Sequence, residues 1–318
     1  MNRMILIDGN AIMHRAYHAM PPLTSPDGKS VSVVYGFLSM LIKIYHDFHP
    51  SHMAVAFDRP GPTFRDQLYA QYQKQRPKID DDFIGQISMV HDAVKAFGVS
   101  AYECDGFEAD DVIGTITKQT KSKKEIDQVI IITGDRDILQ LVEDEKVLLF
   151  MPTKGLSEGK IYHEADVVTR LGIPPKLIPE FKALAGDQSD NYPGVPGIGP
   201  KTAVSILTPY RSIDALYAAL EDSKTTLSKG VIEKLTKGKE SAYLSLQLAT
   251  IRRDAPVTFS QSAAHIKTLD SMSARKELEK YGFQSLLRRL IGIEQNKDVK
   301  VVIKAKTENE ETRQQSLF

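Results

Sequence analysis

The sequence predicts an α/β fold, with a doubly wound parallel sheet in the first part of the chain and a mostly helical module after it. Three observations predict this. Short β-branched apolar runs at 4–7, 53–57 and 129–133 are followed by an acid at once (Asp8, Asp58) or after one glycine (Asp135), the pattern of strands buried on both faces that deliver a polar group at their carboxyl ends. Stretches of 3.6-residue apolar periodicity alternate with these runs, as βαβ units require. From about residue 164 the periodicity is helical alone, interrupted by one glycine-rich hairpin at 186–203.

With 318 residues and 42% hydrophobic content, the chain can bury one large core or two ordinary ones. Its apolar runs are too short for a signal peptide or a membrane span. The single cysteine, Cys104, excludes an internal disulfide framework and a cysteine-based zinc site, and fits a reducing cytoplasm.

Taken in order, Met4–Ile7 reads as a strand ending at Asp8, and residues 11–20 carry His14 and Arg15 into the turn Pro21-Pro22. Residues 33–46 read as a helix through Phe37, Leu38, Leu41, Ile42 and Tyr45, and 53–57 as a strand ending at Asp58. The character then changes. After Pro60-Gly61-Pro62, the residues Arg65, Tyr69, Tyr72, Lys74, Arg76 and Lys78 alternate bases with aromatics and offer little for a core. Such a stretch reads either as a solvated linker or as a mobile basic segment over a site, gathering phosphates and stacking bases. A helix over 84–97 and a strand over 99–102 lead to Cys104–Gly114, where Glu108, Asp110 and Asp111 crowd into four positions at a helix start. One or two acids there complement the helix dipole, but three repel one another unless a cation compensates. The strand 129–133 is followed by Asp135 and Asp137, with a helix expected from Ile138 and a further strand over 147–151. Helices are expected over 164–171, 179–185, 232–251 and 274–290, and a flexible polar tail over 294–312. The chain closes on Gln-Gln-Ser-Leu-Phe318, and two large apolar residues gain nothing from water there.

Nine carboxylates thus fall at strand ends or beside the hairpin: Asp8, Asp58, Glu108, Asp110, Asp111, Asp135, Asp137, Asp187 and Asp190. With no His or Cys cluster, they specify hard cations on oxygen, Mg²⁺ or Mn²⁺, and two such ions about 4 Å apart are the clamp used for phosphodiester hydrolysis. Net charge is zero, but setting nine of the 41 acids aside leaves 32 against 41 bases, a basic surface suited to a polyanion. Arg15, Arg65, Lys74 and Arg76 are the candidates for contacting phosphates, with His14 and Tyr72 beside them. The glycines Gly194, Gly197 and Gly199 would expose backbone N–H groups ahead of a helix opened by Lys201 and Thr202, which is a phosphate cradle or, more plainly, a helix–turn–helix joint.

At this point a family resemblance enters. Leu-Ile-Asp8-Gly-Asn, Ala-Phe-Asp58, Phe-Glu108-Ala-Asp-Asp111, Thr-Gly-Asp135-Arg-Asp137 and the run from Gly186-Asp187 through Asp190 to Ala203 resemble the 5′ nuclease of bacterial DNA polymerase I, of the flap endonuclease superfamily. The resemblance covers residues 1–293 and implies a parallel-sheet nuclease core of PIN-like or resolvase-like type over 1–172, with an arch at 59–97. It implies a helical DNA-binding module over 173–293 whose helix-three-turn-helix hairpin is 186–207, and a tail over 294–318. By matched positions, Asp8, Asp58, Glu108, Asp110, Asp111 and Asp135 would surround a first metal, and Asp137, Asp187 and Asp190 a second. The implied partners are DNA with a 5′ flap, nick or 5′ end and RNA primer–DNA hybrids, acted on by a monomer away from membranes. A K⁺ ion is a candidate for the glycine hairpin. Gln314, Leu317 and Phe318 resemble a sliding-clamp-binding peptide, which favours a stand-alone nuclease over a piece cut before a polymerase.

Two positions depart from the family pattern: Gln73 stands where the arch lysine is usual, and His14 where tyrosine is frequent. Lys74 would have to substitute for that lysine from a helical position about 100° away. The alternative to a Mg²⁺-dependent nuclease is therefore a DNA-junction binder with weakened cleavage. A small ribonuclease of related fold is a third reading, disfavoured by the glycine hairpin.

Overall fold

The computed structural model describes residues 1–121, 123, 125–154 and 158–292. The first half runs β1 (Arg3–Asp8), α1 (Gly9–Ala19), α2 (Ser32–Phe48), β2 (His52–Ala56), α3 (Phe64–Leu68), α4 (Asp81–Ala96), β3 (Ser100–Tyr102) and α5 (Ala109–Lys121). Then follow β4 (Gln128–Ile132), a single 3₁₀ turn (Asp137–Leu141), β5 (Val147–Lys154), β6 (Glu158–Tyr162) and α6 (Glu164–Leu171). The sheet order is β3-β2-β1-β4-β5-β6, parallel throughout except for β6, which returns antiparallel to β5. From β1 the chain moves outward through β2 to β3, then crosses back to β4 on the other side of β1. That reversal opens a crevice beyond the carboxyl ends of β1 and β4, where open α/β sheets place their ligands.

Strand alternation splits the core into two layers. Ile5 and Ile7 face α2 and α4, whereas Met4 and Leu6 face α5 and the helices that follow. Those helices are α7 (Ile178–Ala185), α8 (Pro200–Tyr210), α9 (Ile213–Glu221), α10 (Lys229–Lys237) and α11 (Lys239–Ala249). Their apolar stripes, including Leu184, Ile206, Leu216 and Leu235, share one core with Ile131 and Leu149 of the sheet. After the short α12 (Gln261–Ala264), the chain crosses over. α13 (Met272–Lys280) and α14 (Gln284–Leu290) pack on the opposite layer, against α4 and α2.

Several elements differ from expectation. The helix expected from Ile138 is only the 3₁₀ turn. The helix expected over 232–251 breaks at Gly238, where a Cβ would stand 2.8 Å from Val195 Cγ1. The one expected over 274–290 breaks at Gly282, whose φ of +74° favours glycine. β6, whose Glu158–Tyr162 carries too little apolar alternation to signal a strand, is not among the expected elements, and neither is α9, although Ile213, Leu216, Tyr217 and Leu220 give it helical spacing. The tail from residue 293, with Gln314, Leu317 and Phe318, lies outside the described residues. No helix among the described residues is long and apolar enough to cross a membrane.

Candidate active site

The site is built from the ends of the parallel strands. Asp8, the last residue of β1, is 3% exposed and caps α1, its Oδ1 accepting the Ala11 N–H at 2.9 Å. Its Oδ2 accepts the Thr133 hydroxyl at 2.6 Å, and that hydroxyl oxygen in turn accepts the Asp135 N–H at 2.9 Å. Thr133 thereby ties the ends of β1 and β4 together. Burial pushes the Asp8 carboxyl up to about 7, against its two hydrogen bonds. Asp58, just past β2, lies at the exposed rim and caps α5, its Oδ1 accepting the Ala109 N–H at 2.6 Å. Asp8, Asp58, Glu108, Asp110 and Asp135 line one cavity of about 430 Å³, together with His14 and Arg76. Burial raises Glu108 to about 7, and it holds Asp110 well above the usual carboxylate range, with Asp135, Asp8 and Glu108 adding repulsion.

Glu108, Asp110 and Asp135 also form the near wall of a second, smaller space whose far side holds Asp137 and Asp190. Oxygens of Asp137, Asp187 and Asp190 all lie within 4.8 Å of one another, the one set of three acids this close among the described residues. Lys182, one turn before the end of α7, donates from Nζ to both Asp137 and Asp187. Burial still holds Asp137 up to about 6, whereas Asp187 is drawn below the usual range because Lys182 and Ser189 outweigh its burial. Every potential ligand is a carboxylate oxygen, and at Asp8, Glu108, Asp110 and Asp137 burial favours the bound proton. That donor set fits hard divalent cations, which would take the protons' place.

Asp111, an acid expected in this cluster, lines neither space. It is fully buried, and both of its oxygens are satisfied internally. Arg65 holds them in a bidentate pair at 2.7 and 3.0 Å, with the Arg252 and Glu108 N–H groups completing the set at 2.8 and 3.1 Å. Arg65 is 3% exposed, donates to the Leu248 and Thr250 carbonyls and pairs with Glu108 Oε2 at 3.3 Å, so it lines the second space from a buried position with its donors already engaged by the protein. Tyr72 is likewise buried, its hydroxyl 3.3 Å from Glu108 and 3.4 Å from Asp190, so its ring is not presented for stacking.

The segment around Tyr72 lies across the site. Asp190 accepts from Arg76 at 2.7 Å and from the Gln73 side chain at 3.2 Å, and its carbonyl accepts the Gln73 N–H at 3.0 Å. Gln73 therefore binds the cluster directly, while Lys74 is exposed and lines neither space. His14 stacks on Phe83 with centroids 4.5 Å apart, and burial leads its pKa downward. Arg15, part-buried on α1, is not among the residues lining either space.

The hairpin is only partly open. Gly194 is buried, with its N–H donated to Ser245 Oγ at 3.1 Å, and at φ +60° a Cβ there would stand 2.2 Å from the Gly186 nitrogen. Its amide is thus unavailable to a phosphate. Gly197, Gly199 and Lys201 are exposed and Thr202 half-buried at the start of α8. Lys234 Nζ donates to the Gly197 carbonyl at 3.1 Å, so an ammonium already meets the hairpin where a K⁺ ion is expected.

Two family models match in tandem: the 5′-3′ exonuclease N-terminal resolvase-like domain over residues 3–172 and the 5′-3′ exonuclease C-terminal SAM fold over 173–272. The chain belongs to the 5′-3′ exonuclease family. The chain is 40% identical to DNA polymerase I of Pseudomonas aeruginosa over 255 residues, 79% of this chain and 27% of that protein. It is 35% identical to DNA polymerase I of Bacillus subtilis over 288 residues, 91% of this chain and 32% of that protein. It thus spans about a third of the length of these relatives. Among solved structures, the phage T5 5′-exonuclease bound to divalent metal ions superposes with a TM-score of 0.66 at 19% identity, covering 91% of this chain and 97% of that one. The catalytic core of Rad2 in complex with DNA substrate gives 0.56 at 15% identity, covering 93% and 92%. At such identities these two establish the fold alone.

The charge arrangement has consequences for stability. Asp110 binds its proton more tightly folded than unfolded, so it lowers stability progressively as pH rises from about 4 through its raised folded-state value. Asp110→Asn should therefore melt above the unmutated protein in EDTA at pH 8, with the gap closing toward pH 4, measured by calorimetry. Arg65→Ala strands the fully buried Asp111 carboxylate and should cost about 3–5 kcal/mol in urea unfolding, far more than loss of a surface cation.

Proposed function

We propose that the chain is a structure-specific 5′ nuclease that hydrolyses phosphodiester bonds in DNA at 5′ flaps, nicks and 5′ ends, RNA-primed ends included. The observation that carries this reading is the pair of abutting acidic spaces sharing Glu108, Asp110 and Asp135 as a wall. Asp8, Asp58, Glu108, Asp110 and Asp135 would hold one divalent cation, Mg²⁺ or Mn²⁺, and Asp137, Asp187 and Asp190 a second. Bound there, the two ions supply Lewis acidity toward the scissile phosphate and an activated water.

The chain's own residues hold and orient the substrate. Arg76, half-exposed above the acids, faces the place where phosphate charge would develop and has the bidentate fork that suits it. His14 lines the same cavity and offers a stacking edge near the terminal base. The exposed Gly197–Thr202 start of α8 suits the duplex backbone, with Lys201 adding charge. Asp111 and Arg65 act from buried positions, fixing the start of α5 and hence the direction of Glu108 and Asp110. The reading extends to a cytoplasmic monomer with the tail residues Gln314, Leu317 and Phe318 as a clamp-binding peptide, two apolar anchors on a tether.

A second reading, a junction binder with weakened cleavage, is favoured by one observation: Gln73, at the position where the family's arch carries a lysine, is a neutral donor tied to Asp190. A labelled 5′-flap duplex with Mg²⁺ separates the two. The unmutated protein is expected to cut the flap, and Asp135→Ala to lose about 100-fold or more of that rate while retaining flap binding. Tight binding without cleavage by the unmutated protein would establish the second reading instead. For the tail, retention on an immobilised sliding clamp should be lost with Leu317→Ala plus Phe318→Ala, and unchanged retention would end that part of the proposal.

A further inference from the structure

Tyr192 sits on the loop that carries Asp187 and Asp190, and its backbone forms a two-bond bridge with Asp187. The Asp187 N–H donates to the Tyr192 carbonyl at 2.9 Å, and the Tyr192 N–H returns to the Asp187 carbonyl at 3.0 Å. Its ring is 3% exposed and packs with Tyr72, Leu248 and Ala249. The ring position is therefore fixed relative to the acids from both sides.

Its hydroxyl is buried and has no hydrogen-bond partner among the described residues, a condition shared there by only two other side-chain polar atoms, Arg3 Nε and Thr117 Oγ1. Stranding a hydroxyl in this way is destabilising, because it loses its bonds to water and gains none in return. A phenylalanine would fill the same space without the cost, so the oxygen needs a reason. Its surroundings supply one. The charges that act on it are those of Lys182, Asp137, Asp187 and Asp190, the triad and its ammonium. Lys182 directs its Nζ at Asp137 and Asp187 and leaves the hydroxyl unserved. A hard divalent cation at this triad keeps several waters, and each bound water presents protons that need acceptors.

We infer that Tyr192 is a positioning residue for the second cation, its hydroxyl oxygen accepting a hydrogen bond from a water in that ion's hydration shell. This rests on the two-cation reading given above. The residue touches no substrate. It fixes where the ion's water points, and partners of this kind alter metal affinity by about 10–100-fold when removed.

The test is Mn²⁺ binding to the full chain without DNA, followed by calorimetry and by the loss of free-ion paramagnetic signal. The unmutated protein should show two binding classes, and Asp137→Ala identifies the second by abolishing it. Tyr192→Phe should weaken that same class by about 10-fold and leave the first unchanged, with a melting temperature in EDTA equal to or above that of the unmutated protein. Superimposable Tyr192→Phe and unmutated isotherms overturn the assignment while leaving the two-cation reading intact. A lowered melting temperature with both classes weakened makes Tyr192 a purely structural residue and also overturns it. A single binding class in the unmutated protein overturns the two-cation reading and this inference with it.

Discussion

Like charges forced together at the end of a sheet are the constraint to which the rest of this structure answers. Carboxylates near one another in a partly dehydrated crevice repel strongly, and each one needs a compensating dipole or cation. The fold draws that compensation from separate elements. The first turn of α1 serves Asp8, and the first turn of α5 serves Asp58. α7 sends Lys182 to Asp137 and Asp187, and the stretch after α3 sends Arg76 to Asp190. Because every partner comes from a different segment, neutralising the crevice also fixes how the helical part of the chain sits on the sheet.

Asp110 and Asp111 show how sharply position decides role. They are adjacent, of identical chemistry, and about 100° apart on the first turn of α5. That rotation turns Asp110 toward the crevice and Asp111 into the interior, where Arg65 meets it from 46 residues earlier in the chain. A buried ion pair of this kind contributes little net stability over an apolar substitute but is costly to break from one side. Its evident contribution is geometric. Arg65 simultaneously holds Asp111, the end of α11 and the carbonyl of Thr250, so the start of α5 cannot move without them.

What was legible in the sequence is what short-range pattern encodes. Strand period, β-branched composition and an acid at the strand end are all local, so Asp8, Asp58 and Asp135 could be placed from a handful of neighbours. The burial of Arg65 and Tyr72 could not be read, since both sit in a stretch of bases and aromatics that looks solvated. Their partners lie 183 and 118 residues away, at Leu248 and Asp190. Thr133 and Lys182 escaped for the same reason, although each stands within five residues of a candidate ligand, Asp135 or Asp187, and proximity of that kind is a usable signal. Tyr192 was visible only as a loop residue. Its isolated hydroxyl is a property of three-dimensional packing and has no signature in sequence.

Asp190 is where the two halves of the problem meet. It belongs to the tightest group of acids, yet it also accepts from Arg76, Gln73 and Tyr72 of the segment that crosses the crevice. A carboxylate has roughly four lone-pair directions, and three of them are already engaged by that segment. The placement of the crossing segment and the electrostatics of the acids are consequently one equilibrium rather than two. A lysine at position 73 would bring a second full charge to Asp190 beside Arg76. The glutamine present there keeps a hydrogen bond and adds no charge, so Asp190 is neutralised by Arg76 alone. The segment is held in register by donors while the negative field of the crevice stays open to cations arriving from solvent.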